Sequence, residues 1–329
     1  MTRLVFLHGL EPALAELIAA TAPPGIDTVL VHRDEPEAEQ ARQVAQADFV
    51  MLYRAPLLAS VMRGARRLRM VQLLASGYDG IALDLLHELG VACARNGGAN
   101  ARAVADQTVL MILALYRRLF ETDREVRAGR WQAGITGLNT FEMAGKVMGI
   151  VGLGDIGRQV ARRLQAFDAQ VIYCNRNRLA PALEQELGVR YAPLDELLAT
   201  ADVISLHAPG SADSAHLIDA AALARMKRGA LLINTGRGAL IDEAALLQAL
   251  TSGKLGGAGL DVFEQEPVAP SNPLLALPNV VLSPHTAGTT ADTWARRGHF
   301  AYNNIERVLA GQPPVALVGQ IKAVRPAQT

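Results

Sequence analysis

The stretch "GLGDIGRQV" has the spacing that points most directly to chemistry. Its glycines, Gly152, Gly154 and Gly157, lie between the apolar run "KVMGIV" and the helix-like segment "RQVARRLQAF". In a strand–turn–helix unit, the first glycine permits a tight turn, the second lets the backbone approach a pyrophosphate, and the third lets the helix pack closely on the strand. A helix beginning at Asp155 and Ile156 then directs its N–H groups and positive dipole end at phosphates. The spacing predicts a dinucleotide site.

The second apolar run, "QVIYC", lacks the acidic residue that usually ends it in such a unit. A carboxylate there would hold ribose hydroxyls and repel a 2′-phosphate. The sequence instead continues with Asn175, Arg176, Asn177 and Arg178. Because arginine forms charge-assisted, forked hydrogen bonds with phosphate oxygens, we expect NADP to be preferred, with contacts from Asn175, Arg176 and Arg178. The alternative is that the arginines are solvated loop charges and that NAD binds through Asn175.

Four further motifs agree in identity, order and spacing with one known family. They are "ADVISLHAPGSADSAHLID" (201–219), "INTGRGALIDEAAL" (233–246), "GGAGLDVFEQEP" (256–267) and "VVLSPHTAG" (280–288). With these motifs the chain resembles the D-isomer-specific 2-hydroxyacid dehydrogenases, which include phosphoglycerate dehydrogenases, D-lactate dehydrogenases and glyoxylate/hydroxypyruvate reductases. The resemblance covers nearly the whole chain. It implies hydride transfer between NADP(H), or NAD(H), and a small D-2-hydroxy acid or 2-keto acid, with glyoxylate or hydroxypyruvate as candidates.

The resemblance also implies three catalytic residues. Arg237 matches the arginine that binds the substrate carboxylate and carbonyl oxygen, His285 matches the general acid/base, and Glu266 matches the acid that partners this histidine. The chemistry requires such a set, because hydride delivery to a keto carbon leaves charge on oxygen and a positioned acid must supply a proton. Imidazole beside a carboxylate keeps that proton available near neutral pH. Taken singly, each residue also fits an ordinary turn or surface position; their joint occurrence at the ends of apolar runs favours function.

Other site residues follow from the resemblance. Asp261 matches a contact to the nicotinamide amide, and further cofactor contacts are expected from Thr108, His207, Pro209, Thr235 and Gly288. The long helix departs from many relatives at its start, because Asp106 and Gln107 stand in place of a Glu-His pair. The histidines of the chain show no metal-ligand spacing, so we expect no metal.

Besides Arg237 and His285, further substrate contacts are expected in the first hundred residues. "LLASGYDGI" (73–81) resembles the family's substrate loop, in which backbone N–H groups around Ser76 and Gly77 hold the carboxylate. Small residues there allow close backbone approach, although a plain strand–helix turn would look similar. Tyr53 and Arg54 lie where family members vary to suit the substrate side chain. Arg54 suits a second anionic or hydroxylated group, with surface exposure as the alternative.

Short apolar runs that alternate with helix-like segments predict an α/β fold with parallel sheets. The first series is "RLVFL", "DTVLV", "DFVML", "RMVQLL" and "GVACA"; the second is "KVMGIVG", "QVIYC", "DVISLH", "ALLINT", "GGAGLDV" and "VVLSPH". Residues 99–129 predict one long helix, and about 289–310 a last helix. We expect a flavodoxin-like substrate-binding domain (1–98 and 287–329) and a dinucleotide-binding Rossmann domain (99–286), with the active cleft between them.

Composition limits the classes of partner. The 329 residues are 50% hydrophobic and 19% charged, and 32 basic residues balance 32 acidic ones. Such a globular chain has no overall attraction to nucleic acid or to acidic membranes, so its partner is expected to be a small molecule. The two cysteines, Cys93 and Cys174, form no framework, which favours a reducing, cytoplasmic location. The long helix and "RAGRW" (127–131) resemble the family's dimerisation arm, which implies a homodimer.

Two other functions fit the same motifs. A dinucleotide-sensing corepressor that uses this fold for protein binding would keep the three catalytic residues, and so would a phosphite dehydrogenase. Formate oxidation is disfavoured, because the resemblance would then place glutamine at Glu266.

Overall fold

The computed structural model describes residues 1–131 and 137–319. The chain divides into two compact units, Met1–Asn100 with Thr289–Thr329, and Ala101–Gly288. Each expected domain boundary, 98/99 and 286/287, lies two residues from a boundary between these units. The end of the expected substrate domain, residues 320–329, lies outside the described residues.

The first unit contains a parallel five-stranded sheet of order β2-β1-β3-β4-β5, the flavodoxin-like order that the sequence predicts. Its strands are β1 (Thr2–His8), β2 (Ile26–His32), β3 (Phe49–Tyr53), β4 (Met70–Leu73) and β5 (Ala92–Ala94). The helices between them are α1 (Pro12–Ala19), α2 (Glu37–Val44), α3 (Ala59–Arg63) and α4 (Leu83–Glu88). Leu4, Val5, Phe6 and Leu7 of β1 are all fully buried, because helices cover both faces of a parallel sheet.

The predicted long helix is two helices, so this prediction was wrong. Helix α5 (Ala101–Tyr116) ends before Arg118, whose left-handed φ of 50° turns the chain into α6 (Leu119–Arg127). Many α5 residues are buried, whereas none of α6 is. The charged second segment therefore has no buried face that would keep it in line with the first.

The second unit contains a parallel seven-stranded sheet of order β12-β11-β10-β9-β6-β7-β8. Its strands are β6 (Val147–Val151), β7 (Gln170–Cys174), β8 (Arg190–Tyr191), β9 (Val203–Leu206), β10 (Ala230–Asn234), β11 (Leu255–Leu260) and β12 (Val280–Leu282). Its later helices are α7 (Asp155–Gln165), α8 (Pro181–Leu187), α9 (Leu194–Thr200), α10 (Ala220–Arg225) and α11 (Glu243–Thr251). The six predicted strands are present; β8 was missed because an Arg-Tyr pair is no apolar run. The strand order reverses at β6, which is the Rossmann arrangement and the place where such sheets bind ligands.

The last helix, α12 (Ala291–Leu309), matches the predicted final segment and belongs to the first unit. A reciprocal cap between Thr290 and Thr293 begins it. Trp294, Tyr302 and Ile305 bury its inner face against the sheet of that unit. The helix thus returns the chain to the core that its first hundred residues form.

The lengths of the helices and the placement of possible metal ligands bear on the expected partners. None of the helices in the described residues is both long and apolar enough to span a membrane. Across 1–131 and 137–319, no group of three or more His, Cys, Asp and Glu side chains is placed to hold a metal ion.

Candidate active site

The glycine loop joins β6 to α7 with the geometry that a pyrophosphate requires. Gly152 has a φ of +98°, and a Cβ on Gly157 would lie 2.3 Å from the Gly152 carbonyl oxygen, so both positions need glycine. A Cβ on Gly154 would meet nothing within 4 Å, so packing does not explain this glycine. The N-cap residue of α7 is Gly154, which has no side chain, and the first residues of the helix are Asp155 and Ile156. A helix N-terminus that follows bare glycine backbone fits a dinucleotide's phosphates.

The polar residues after β7 have three different environments. Asn175 Oδ1 accepts a hydrogen bond of 2.6 Å from the Leu153 N–H, which ties the end of β7 to the glycine loop. Arg176 is exposed. Arg178 donates through Nε and Nη2 to both carboxylate oxygens of Glu184, each at 2.9 Å. The predicted NADP residues are therefore neighbours, but only Arg178 forms a forked ion pair within the protein.

His285 and Glu266, 19 residues apart in sequence, meet in one hydrogen bond. His285 Nδ1 lies 2.6 Å from Glu266 Oε2, with 48% and 35% of the two side chains exposed. The other carboxylate oxygen accepts a 3.0 Å hydrogen bond from the Phe263 N–H. Partial burial raises the pKa of Glu266, but the hydrogen bonds from His285 and Phe263, with the positive charge of Arg237, outweigh it and lower that pKa. Glu266 is thus held as the carboxylate that an imidazolium needs beside it.

Arg237 lies in the turn that follows β10. Asn234 builds this turn, because its Nδ2 donates to the Arg237 carbonyl at 2.8 Å and its Oδ1 accepts from the Gly236 N–H at 3.0 Å. A Cβ on Gly238 would lie 1.9 Å from the backbone of Phe263, so this glycine lets the Arg237 turn approach the segment that leads to Glu266. Our sequence analysis missed Asn234, although Asn before Thr-Gly is a common turn signal.

Asp261 holds the segment that carries His285. Its Oδ1 accepts from Ser283 Oγ at 2.5 Å and from the Thr286 N–H at 2.9 Å, while Oδ2 accepts from the Ala287 N–H at 3.0 Å. The Asp261 carbonyl accepts from the His285 N–H at 2.7 Å. His285 itself adopts a left-handed φ of 53°, which these bonds stabilise. The predicted nicotinamide contact of Asp261 stays a prediction, and Ser283 is a partner that sequence reasoning missed.

A chain of polar side chains joins α5 and β9 to the segments that follow β9 and β10. Thr108 Oγ1 lies 3.1 Å from Thr235 Oγ1, which lies 3.4 Å from His207 Nδ1, and His207 Nε2 lies 2.8 Å from Ser205 Oγ. Burial lowers the pKa of His207 to about 3, so its imidazole is neutral near pH 7. His285, rather than His207, is therefore the histidine suited to proton transfer. The other predicted cofactor residues, Pro209 and Gly288, lie in the loops after β9 and β12.

The four other predicted substrate residues lie in the first unit. Tyr53 is buried at the end of β3, and Arg54 follows it with a left-handed φ of 51° and its guanidinium 5.6 Å from the Tyr53 ring. Ser76 Oγ lies 3.0 Å from Asn96 Oδ1 and 2.7 Å from Asn100 Oδ1, so these amides hold the loop that continues through Gly77. The roles of these four predicted residues in substrate binding stay predictions.

Comparison with known proteins agrees with this fold. The family profile described as D-isomer specific 2-hydroxyacid dehydrogenase, NAD binding domain, matches residues 109–287. A glyoxylate reductase of Korarchaeum cryptofilum is 40% identical over 84% of this chain and 84% of its own. A D-3-phosphoglycerate dehydrogenase of Mycobacterium leprae is 37% identical over 82% of this chain but 50% of its own. The NADPH-dependent glyoxylate/hydroxypyruvate reductase of Sinorhizobium meliloti, solved with NADP and malonate, is 28% identical, covers 99% of both chains and has a TM-score of 0.83.

A Rossmann sheet with a glycine loop between strand and helix, and with a His–Glu pair after two of its strands, is the arrangement of a nicotinamide-dependent dehydrogenase. The chain belongs to the D-isomer-specific 2-hydroxyacid dehydrogenases. As a member it is an NAD(P)-dependent oxidoreductase of the 2-hydroxyacid dehydrogenase type, and its second unit contains the dinucleotide-binding sheet.

Proposed function

We propose that the protein reduces a small 2-keto acid, glyoxylate or hydroxypyruvate, with NADPH, and that His285 is its general acid. The 2.6 Å bond between His285 Nδ1 and Glu266 Oε2 carries this proposal. A carboxylate that accepts from Nδ1 fixes the ring's orientation and stabilises its protonated form. Proton exchange with substrate is thereby assigned to Nε2.

The proposed roles follow from charge. The bound nicotinamide cofactor supplies the hydride to the keto carbon. His285 Nε2 donates a proton to the keto oxygen, and Glu266 compensates the imidazolium charge before this transfer. Arg237 binds the substrate carboxylate and keto oxygen, since a guanidinium matches a planar carboxylate with two parallel hydrogen bonds. In the oxidative direction the neutral imidazole accepts the hydroxyl proton.

The residues after β7 support the choice of NADPH. Asn175 Oδ1 accepts from the Leu153 N–H, and residues 175–178, which directly follow β7, include no carboxylate that would repel a 2′-phosphate. The exposed Arg176 supplies the positive charge. We expect Arg176→Ala to raise the KM for NADPH about tenfold, the effect of one lost charge-assisted hydrogen bond, and to leave that for NADH unchanged. Arg228→Ala, another exposed arginine of this unit, is the control; equal increases for both cofactors would contradict the preference.

Relatives support the substrate class. Glyoxylate reductases and D-3-phosphoglycerate dehydrogenases both match this chain, and the glyoxylate reductase of Korarchaeum cryptofilum matches over the larger share of its own length. We infer that the first unit is the substrate-binding domain. There Ser76 and Gly77 bind the carboxylate, and Tyr53 and Arg54 face the substrate side chain.

A substrate panel tests the proposed activity. Purified protein is assayed with glyoxylate, hydroxypyruvate, pyruvate and 3-phosphohydroxypyruvate, each with NADPH and with NADH, and in reverse with phosphite and NADP. We expect the highest kcat/KM for glyoxylate or hydroxypyruvate with NADPH. Tight cofactor binding without turnover would favour the corepressor function, and phosphite-dependent reduction of NADP would favour phosphite oxidation.

We also propose that the protein is a homodimer. Helices α5 and α6 with the following segment expose large apolar side chains, namely Leu110, Leu119, Phe120, Val126 and Trp131. Such a concentration of exposed apolar residues is typical of a protein–protein interface. Sedimentation equilibrium gives the mass directly, and a monomer at micromolar concentration would contradict this proposal. The cytoplasmic location stays a prediction.

A further inference from the structure

A cluster of side chains beside the predicted 2′-phosphate site has no part in the chemistry proposed above. This Glu184 cluster consists of Glu184 on α8, Tyr173 on β7, Tyr191 on β8, and Arg178 and Leu179 in the connection between β7 and α8. The Glu184 carboxylate accepts from Arg178 Nε and Nη2, each at 2.9 Å, and from Tyr173 Oη at 2.6 Å. The Tyr173 hydroxyl oxygen accepts in turn from the Leu179 N–H at 2.9 Å. One carboxylate on α8 thus joins strand β7 to the connection that follows it.

The Glu184 carboxylate is unusual for its burial and its charge. Its side chain is 10% exposed although that of its partner Arg178 is 57% exposed. The hydrogen bonds from Arg178 and from Tyr173 lower the pKa of Glu184 to about 2, so it stays ionised at all physiological pH values. The Arg178 guanidinium also lies 5.2 Å from the centre of the Tyr191 ring. An acid that is buried and fully bonded in this way fixes its neighbours in place.

These contacts hold the segment 175–179 at both of its ends. At the β7 end, Asn175 Oδ1 accepts from the Leu153 N–H of the glycine loop at 2.6 Å. At the α8 end, Glu184 holds Arg178 and Tyr173 holds the Leu179 N–H. Arg176 lies between the two anchors and is exposed. The forked ion pair already uses the Arg178 Nε–H and one Nη2–H toward Glu184, which distinguishes Arg178 from Arg176.

We propose that Glu184 is a positioning residue for cofactor selection, which fixes the segment 175–179 so that Arg176 meets the 2′-phosphate of NADPH while Glu184 itself touches no cofactor. In this arrangement Arg178 is the ion-pair partner of Glu184. This inference rests on the proposed NADPH preference. It adds a residue, Glu184, that determines the preference for NADPH without contacting the cofactor.

A double-mutant cycle tests this role by direct binding. NADPH and NADH are titrated into wild type, Glu184→Gln, Arg178→Met and the double variant, and dissociation constants are read from cofactor fluorescence. We expect each single variant to weaken NADPH binding about tenfold, the cost of a disrupted charge-assisted interaction, and NADH binding less than twofold. The double variant should be no weaker than the worse single variant, because both changes remove one interaction. Glu186→Gln, an exposed acid on the same helix, should bind both cofactors as wild type does.

The other results would overturn the proposal in recognisable ways. If Arg178→Met weakens NADPH binding and Glu184→Gln does not, Arg178 is a direct phosphate ligand. If Glu184→Gln strengthens NADPH binding, Glu184 withholds Arg178 from the phosphate rather than positioning Arg176. If wild type binds NADPH and NADH equally, the proposed NADPH preference fails and this inference fails with it. If wild type prefers NADPH and Glu184→Gln keeps the same ratio of the two dissociation constants, only this inference fails. Tyr173→Phe, which keeps the ring, gives a milder variant should Glu184→Gln lower the melting temperature, and it should lose part of the same preference.

Discussion

Replacing Glu266 by glutamine isolates the effect of one charge on proton transfer. Gln keeps an oxygen within reach of His285 but removes the negative charge that lies 2.6 Å from Nδ1. Two opposite unit charges at this separation attract by about 1.6 kcal/mol in a dielectric like that of water, which suits a pair whose side chains are 48% and 35% exposed. This energy corresponds to a factor of about 15 in an equilibrium constant.

The direction of the shift is the same for both reactions. Reduction needs the protonated imidazole, which a neighbouring carboxylate favours, so in Glu266→Gln the fall in kcat/KM with rising pH should begin at lower pH. Oxidation needs the neutral imidazole, so its rise with pH should also move to lower pH. Both profiles are measured as kcat/KM between pH 5 and 10, with cofactor saturating.

Glu264→Gln is the matched control. Its carboxylate lies two residues from Glu266 but pairs with His216 Nε2 at 2.7 Å. We expect its profiles to superimpose on those of wild type. Unshifted profiles for Glu266→Gln, or equal shifts for the two variants, would show that the pairing with His285 does not control proton transfer.

Two further predictions follow from close contacts in the dinucleotide-binding unit. Gly157→Ala should lower the free energy of unfolding by about 1–3 kcal/mol, since its Cβ would lie 2.3 Å from the Gly152 carbonyl oxygen. Gly154→Ala, whose Cβ meets nothing within 4 Å, should instead leave urea unfolding unchanged and weaken NADPH and NADH binding alike. Stability loss at Gly154 comparable to that at Gly157 would contradict this reading. Asp261→Asn should lower the free energy of unfolding by about 1–3 kcal/mol, because an amide has one acceptor oxygen for three donors. It should also lower kcat by disordering the position of His285. An unchanged kcat would refute the positioning role of Asp261.

Much of the fold was predictable because parallel strands leave a strong local signal. A strand buried on both faces needs an unbroken apolar run, and eleven such runs became strands. The break at Arg118 was not predictable from periodicity. It depends on a single residue that adopts a left-handed φ, and arginine gives no local sign of that conformation.

The residues of the candidate site also differ in how well the sequence predicts them. Gly152 and Gly157 could be predicted from the sequence because only glycine fits their backbone conformation or contacts. The pairing of Glu266 with His285 came from a family resemblance, since nothing local relates two residues on different strand ends. Glu184 lies on a short helix among other polar residues, and its two partners, Tyr173 and Arg178, come from β7 and from the connection that follows it. Contacts between elements of this kind have no sequence periodicity that would reveal them.

The strand order of the second unit has a consequence for how this enzyme can change. His285 follows β12 and Arg176 follows β7, and these strands are five steps apart in the sheet, roughly 24 Å at the usual spacing. Under the roles proposed above, substitutions in the segment after β7 can therefore change the preference between NADPH and NADH while the proton-transfer residues after β12 stay unaltered.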